Sequence, residues 1–276
     1  MTDPDTVRHH YGTESLMPRL KTALEVFGPE DQLLRPDQLG PLDQFHTLGA
    51  KATADLAELA GITADNTVLD AGSGLGGPAR YLAATIGCHV TGIDLSQPFT
   101  EAARYLNQRT GQSAAITFET ASALDLPFAS GAFDVALLQH VAMNIGDRAG
   151  LYREMRRILK PRGRFATFDI VAESGAPIYP LPWARTPAAS FLLTAAATRS
   201  TIEAAGFTVL AWRDDTDAAT AWFAKLRETG VLGGSLAPGP NLGAVMGPDF
   251  AELTGNLGRG LAEGRLGVVT AVFGAN

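Results

Sequence analysis

The sequence predicts an α/β fold: a doubly wound, largely parallel sheet with helices on both faces, roofed by a helical cap. Three observations predict it. Short apolar runs of strand length alternate with segments of helical length from about residue 67 onward. A glycine-rich turn joins the first run to a helix, and the second run ends in an acid.

Residues 1–60 read mostly helical, with Asp43-Gln44-Phe45-His46 leading into a helix over 50–60. Strands are expected at 67–70, 89–94, 115–120, 133–139 and 164–171, with helices between them. One helix opens at Pro78-Ala79-Arg80 and another spans 97–110. A helix over 198–205 is closed by Gly206, a sixth strand follows at 207–214, and a seventh at 266–273 ends the pattern. Two stretches fall outside the alternation. One leaves the fifth strand through Pro177, Pro180 and Pro182; the other runs from Asp214 to Leu266 through a glycine-rich segment, 233–247. Ligands of open α/β sheets sit beyond the carboxyl ends of the strands. The division is therefore a helical cap segment over 1–60 and a ligand-binding domain over 61–276, with cap insertions at about 172–198 and 215–265.

The most informative residue is Asp70, in Val68-Leu69-Asp70-Ala71-Gly72-Ser73-Gly74-Leu75-Gly76-Gly77. Gly72, Gly74 and Gly77 satisfy the dinucleotide pattern GxGxxG. A dinucleotide, however, lays its pyrophosphate over such a turn and needs amide donors there, not a carboxylate two residues ahead. A carboxylate suits a ligand whose cationic end lies over the glycines, and S-adenosylmethionine (SAM) is such a ligand. Asp94 ends the second strand 24 residues after Asp70 and 18 after Gly76. An acid at about that distance accepts the ribose hydroxyls of either kind of nucleotide; it also suits the cap of the helix that follows.

With these residues the chain resembles class I SAM-dependent methyltransferases of the small-molecule type, such as glycine/sarcosine/dimethylglycine N-methyltransferases and natural-product sugar O-methyltransferases. Asp70-x-Gly72-x-Gly74-x-Gly76-Gly77-Pro78-Ala79-Arg80 is similar to the family's first motif. The resemblance implies a Rossmann-like sheet of seven strands, the last antiparallel between the fifth and sixth. It implies SAM as cofactor and S-adenosylhomocysteine as product, held by Asp70, Gly72, Ser73, Gly74 and Gly76 on the turn and by Asp94 and Leu95 after the second strand. Ser122, Ala123 and Leu124 after the third strand and Gln139 at the end of the fourth complete that set. Ser122 stands where the family usually has an aspartate toward adenine, and Arg162 where it usually has glycine.

Composition excludes other classes. A net charge of −7 disfavours nucleic acid as partner. No apolar run is long enough to span a bilayer, and the acidic N-terminus is unlike a signal peptide. Cys88 is the only cysteine, so no intrachain disulfide forms and a cytoplasmic location is expected. No histidine or cysteine spacing suggests a metal site. The partner is a small molecule, and an oligomer of identical chains is left open.

Methyl transfer needs alignment more than chemistry from the protein. His140, directly after the fourth strand, is the candidate general base, because an unperturbed histidine titrates near neutrality. Asp169, at the end of the fifth strand, matches an aspartate used by some sugar O-methyltransferases; a loop-anchoring carboxylate is its other reading. His46, Tyr179, Trp183 and Trp222 are candidate acceptor contacts, with core packing as the alternative for the aromatics. The function expected is methyl transfer to O, N or C of a small molecule. A SAM-fold enzyme guiding a cyclisation or rearrangement, and a non-catalytic binding module, are the competing classes.

Overall fold

A computed structural model of the chain describes residues 16–229 and 241–275. The expectations for His9 and His10 and for part of the glycine-rich segment lie outside these residues. The described residues form a seven-stranded sheet of β1 (Thr67–Ala71), β2 (His89–Asp94), β3 (Ile116–Thr120), β4 (Phe133–Gln139), β5 (Leu159–Ala172), β6 (Phe207–Asp214) and β7 (Leu266–Ala275), in the order β3-β2-β1-β4-β5-β7-β6. Neighbours from β3 to β5 pair in parallel, whereas β7 is antiparallel to both β5 and β6. The expected insertion of the last strand is thus present.

The sheet is apolar on both faces, as a covered parallel sheet must be. On one face Leu56 and Leu82 meet Val68, Val135 and Leu137; they come from α3 (Ala50–Leu59) and α4 (Gly77–Thr85). On the other, Leu151, Met155 and Ile158 of α6 (Arg148–Ile158) pack on Leu69, Ala136 and Leu138. Burying each such side chain contributes roughly 1.5–3 kcal/mol.

The chain before β1 is tied to the glycine turn. Leu16, Leu20 and Leu24 recur every four residues and form one buried face of α1 (Leu16–Leu24). With Leu39 and Leu42 of α2 (Pro36–Asp43) they pack on Leu75 of the turn and on Phe99 and Leu106 of α5 (Gln97–Arg109). A buried ion pair adds a polar tie, Arg80 Nη2 to Asp43 Oδ2 at 2.7 Å, with side chains 1% and 2% exposed. After β5 the chain runs to α7 (Ala195–Ala204), and after β6 to α8 (Thr216–Glu228), α9 (Leu242–Met246) and α10 (Phe250–Ala262). Boundaries move slightly from expectation: β5 begins earlier, at Leu159, and α7 begins at Ala195.

Arg162 adopts φ 65°, the left-handed region that favours glycine. The departure noticed in the sequence therefore leaves the backbone in the glycine conformation, with an arginine holding it. Among the described residues no helix is long and apolar enough to cross a membrane.

Candidate functional site

β1 and β4 are adjacent at the centre of the sheet, and from them the strand order runs outward in both directions. A crevice opens beyond their carboxyl ends, where such sheets bind ligands. Asp70 sits on β1 between Gly92 of β2 and Leu137 of β4. The turn after it closes tightly: the amides of Gly72 and Ser73 both donate to the Ile93 carbonyl at 2.8 Å. Gly72 has φ 77°, and a Cβ there would collide with the Val141 side chain. Its absence lets the loop after β4 lie against the loop after β1.

Two carboxylates flank this turn. Asp70 is 2% exposed and its Oδ2 has no hydrogen-bond partner. Burial and, after it, the nearby Asp94 charge push its carboxyl up to about 7 against the opposing charge of Arg80. Asp94 accepts from the Ser96 amide at 2.8 Å and from the Gly74 amide at 3.0 Å. Burial raises its pKa against those amides. Asp94 thus ties the glycine turn to the residue that precedes α5, whose N-cap is Ser96 and not Asp94. The residues fit SAM. An orphaned buried carboxylate oxygen beneath a glycine turn lacks only a cationic partner. An acid at the end of β2 matches the place of ribose hydroxyls.

A cavity of about 500 Å³ opens on the turn and on the carboxyl ends of the central strands, within the range of small-molecule sites. Of the expected cofactor residues, Gly72, Gly74, Asp94, Leu95, Ser122, Ala123, Leu124 and Gln139 line it. Asp70, Ser73 and Gly76 lie behind that lining. The Ser122 hydroxyl accepts from the Leu124 amide at 3.2 Å.

His140 lines the cavity in a constrained posture, at φ 54°, a region that costs a non-glycine residue about 1–2 kcal/mol. Its Nε2 lies 3.3 Å from Thr47 Oγ1. Burial, and then the neighbouring His46, hold its pKa well below the ordinary histidine value. Titration near neutrality, expected from the unperturbed side chain, is thereby corrected: His140 is neutral there.

His46 also lines the cavity, but both ring nitrogens are engaged within the protein. Its Nδ1 lies 3.3 Å from the Thr47 carbonyl, which can only accept, so Nδ1 carries the proton. Its Nε2 therefore accepts from Thr53 Oγ1 at 3.2 Å. Thr53 has one proton to give, so the Gln139 amide nitrogen donates to its oxygen, at 3.4 Å. Burial drives His46 down to about 4.

Two further expected residues lie outside the cavity wall. Asp169 is 2% exposed and is not part of the cavity wall. Its Oδ2 accepts from the Ala142 amide and its Oδ1 from the Ile170 amide, both at 3.0 Å. It anchors the turn that carries His140, which was the other reading of this residue; burial raises its carboxyl to about 6. Tyr179 packs against the hydrophobic core instead of the cavity. Trp183 and Trp222 do line the cavity, and Trp183 donates its indole N–H to Ser190 Oγ at 2.9 Å.

Sequence reasoning missed Thr47, Asn144 and the residues of α10 that complete the wall, Phe250, Leu253 and Leu257, and also the buried Thr53 bonded to His46. No local motif marks them. The one usable signal was the polar run Gln44-Phe45-His46-Thr47 just before an amphipathic helix.

Comparison with known proteins agrees with this geometry. Residues 69–167 match the family model described as a methyltransferase domain. Glycine/sarcosine/dimethylglycine N-methyltransferase of Actinopolyspora halophila is 35% identical over 136 residues, 49% of this chain. That match spans 24% of the relative, about a quarter of its length. Geranyl diphosphate C-methyltransferase from Streptomyces coelicolor A3(2), solved with Mg²⁺, geranyl-S-thiolodiphosphate and S-adenosylhomocysteine, aligns with a TM-score of 0.71 at 18% identity. The alignment covers 99% of this chain and 98% of that one. The [4+2]-cyclase SpnF aligns with a TM-score of 0.69 at 20% identity, over 99% and 96% of the two chains. The fold is shared with both.

Proposed function

We propose that this chain, whose residues 69–167 are a methyltransferase domain, is a SAM-dependent methyltransferase acting on a small molecule. The observation that carries the reading is the pair of carboxylates around the glycine turn, with Asp70 Oδ2 buried and unpartnered. Asp70 would hold the ammonium end of SAM, and ionises fully once that charge is beside it. Asp94 would accept the ribose hydroxyls, and Ser122, Ala123 and Leu124 would flank adenine. Leu95 and Gln139 would complete the cofactor wall, with Ser73 and Gly76 shaping the turn behind it.

When bound, SAM supplies a methyl group on a sulfonium, an excellent leaving group. The protein's part is to exclude water, align the acceptor and manage one proton. His140, neutral near pH 7 and facing the cavity, can take a proton from the acceptor. Asp169 would hold its turn in place. The residues before β1 and the two insertions, 172–198 and 215–265, would act as the cap. The single cysteine, buried Cys88, suits a reducing cytoplasm.

The test is incubation with SAM and a panel of sugars, amino acids, phenols and lipids, followed by mass spectrometry. Formation of S-adenosylhomocysteine with a one-methyl mass gain in an acceptor supports the reading. Product formed from an acceptor with SAM unconsumed would favour a cyclisation or rearrangement instead.

A further inference from the structure

We infer that the acceptor is an uncharged, largely apolar molecule methylated on a hydroxyl that the cavity presents to His140. This rests on the methyltransferase reading above and adds the substrate class to it.

Charge is the first ground. Among the described residues of the cavity wall, Asp94 carries the one formal charge, and it belongs to the glycine turn through its bond to the Gly74 amide. No lysine or arginine reaches the described wall to hold a carboxylate or phosphate, and no second acid to hold an ammonium. Bringing an unpaired ion against the described wall costs several kcal/mol, which favours an uncharged acceptor.

The apolar part of the wall is the second ground. Trp183, Trp222, Phe223, Phe250, Leu253 and Leu257 converge there from α8, α10 and the segment after β5. Trp183 has its only donor satisfied by Ser190, so what it offers the cavity is ring carbon. Trp222 and Phe223 meet edge to face, ring centroids 5.0 Å apart, and form a continuous aromatic wall. These surfaces match a hydrocarbon or aromatic body.

The third ground is the arrangement of the polar groups around His140. His46, Thr53 and Gln139 satisfy one another, which leaves His140 as the imidazole with capacity to spare. In the tautomer whose Nε2–H donates to Thr47, Nδ1 is an open acceptor. A hydroxyl donating to Nδ1 becomes the nucleophile. Its oxygen forms a bond to the methyl carbon as the carbon–sulfur bond breaks. The bonding pair stays on sulfur and the hydroxyl proton passes to Nδ1. An amine free base would need no such acceptor.

The test uses matched probes on the protein loaded with S-adenosylhomocysteine: 2-naphthol, naphthalene, 2-naphthyl phosphate and 2-naphthylmethylammonium. Binding is followed by tryptophan fluorescence. The neutral alcohol should bind about a hundredfold more tightly than either ion, since each ion would be buried without a partner. It should also bind about fivefold more tightly than naphthalene, the value of one net hydrogen bond, and this margin should vanish in His140→Ala. Equal or tighter binding of the phosphate or the ammonium compound would overturn the charge argument. Equal binding of 2-naphthol and naphthalene to wild type would overturn the hydroxyl assignment. Titration of the same preparation with S-adenosylhomocysteine keeps the two readings apart, because its failure strikes the cofactor site alone.

Discussion

His140 lies flat on Phe168: their ring centroids are 5.1 Å apart with planes 16° from parallel, and the His140 amide donates to the Phe168 carbonyl at 2.8 Å. The end of β4 is thus fixed to β5 through both backbone and side chain, and the imidazole cannot swing freely. It is desolvated in the same step.

That desolvation sets a pH dependence. Protonated His140 cannot act as a base, so turnover of a hydroxyl acceptor should rise as pH rises through its pKa. Burial and His46 place that pKa well below the ordinary value, so the rise should come at lower pH than an unperturbed histidine would give, and the rate should be flat between pH 7 and 8. His140→Ala should cost about 10²–10⁴-fold in turnover with cofactor affinity nearly unchanged. A rate still climbing between pH 7 and 8, or full activity in His140→Ala, would remove the residue from this role.

The Asp43–Arg80 pair should behave as a buried ion pair with incomplete satisfaction. Asp43 Oδ1 and Arg80 Nε and Nη1 have no hydrogen-bond partner, and burial raises the Asp43 carboxyl despite the guanidinium. Asp43→Ala leaves the buried arginine without its carboxylate, with the Leu75 carbonyl still accepting from it, and should cost about 3–5 kcal/mol by denaturant unfolding. Asp43→Leu with Arg80→Met should cost clearly less than the two single changes added together. An additive result would mean that the partners act independently.

Ser122 accepts only one local amide, so its position tolerates a carboxylate. Ser122→Asp should retain or tighten binding of S-adenosylhomocysteine by calorimetry, through a charge-assisted bond to the adenine amino group. A large loss would show that the loop after β3 does not meet adenine.

Arg162 stores strain at φ 65°. Arg162→Gly should relieve it and raise stability by about 0.5–1 kcal/mol, the gain being offset in part by the freer unfolded chain. An unchanged or lower melting temperature would indicate that the arginine side chain contributes more than its backbone costs.

What the sequence made legible was local. The glycine turn, the acid of β2 and the alternation of elements all lie within short windows, where spacing follows directly from backbone geometry. The Thr53–Gln139 and Thr47–His140 contacts join residues 86 and 93 positions apart, and no pattern announces them. Asp169 shows the limit differently. Its position at the end of β5 was clear, but whether its oxygens faced a ligand or two backbone amides depended on the turn after β4. Likewise a histidine's identity gives its ordinary pKa, whereas the burial that shifts His140 comes from β5 and the residues before β1.

Calorimetric titration with S-adenosylhomocysteine at pH 6 and pH 8, each in two buffers of different ionisation enthalpy, tests the central claim most directly. Free Asp70 has a pKa of about 7, so at pH 6 it is mostly protonated and must lose that proton to face an ammonium group. Binding should therefore release protons at pH 6 and hardly any at pH 8, and should be weaker at pH 6. Asp70→Asn should weaken binding roughly tenfold to a hundredfold, the worth of a charge-assisted bond, and abolish the proton release. NAD should give no heat. Binding of NAD without binding of SAM or S-adenosylhomocysteine would contradict the account.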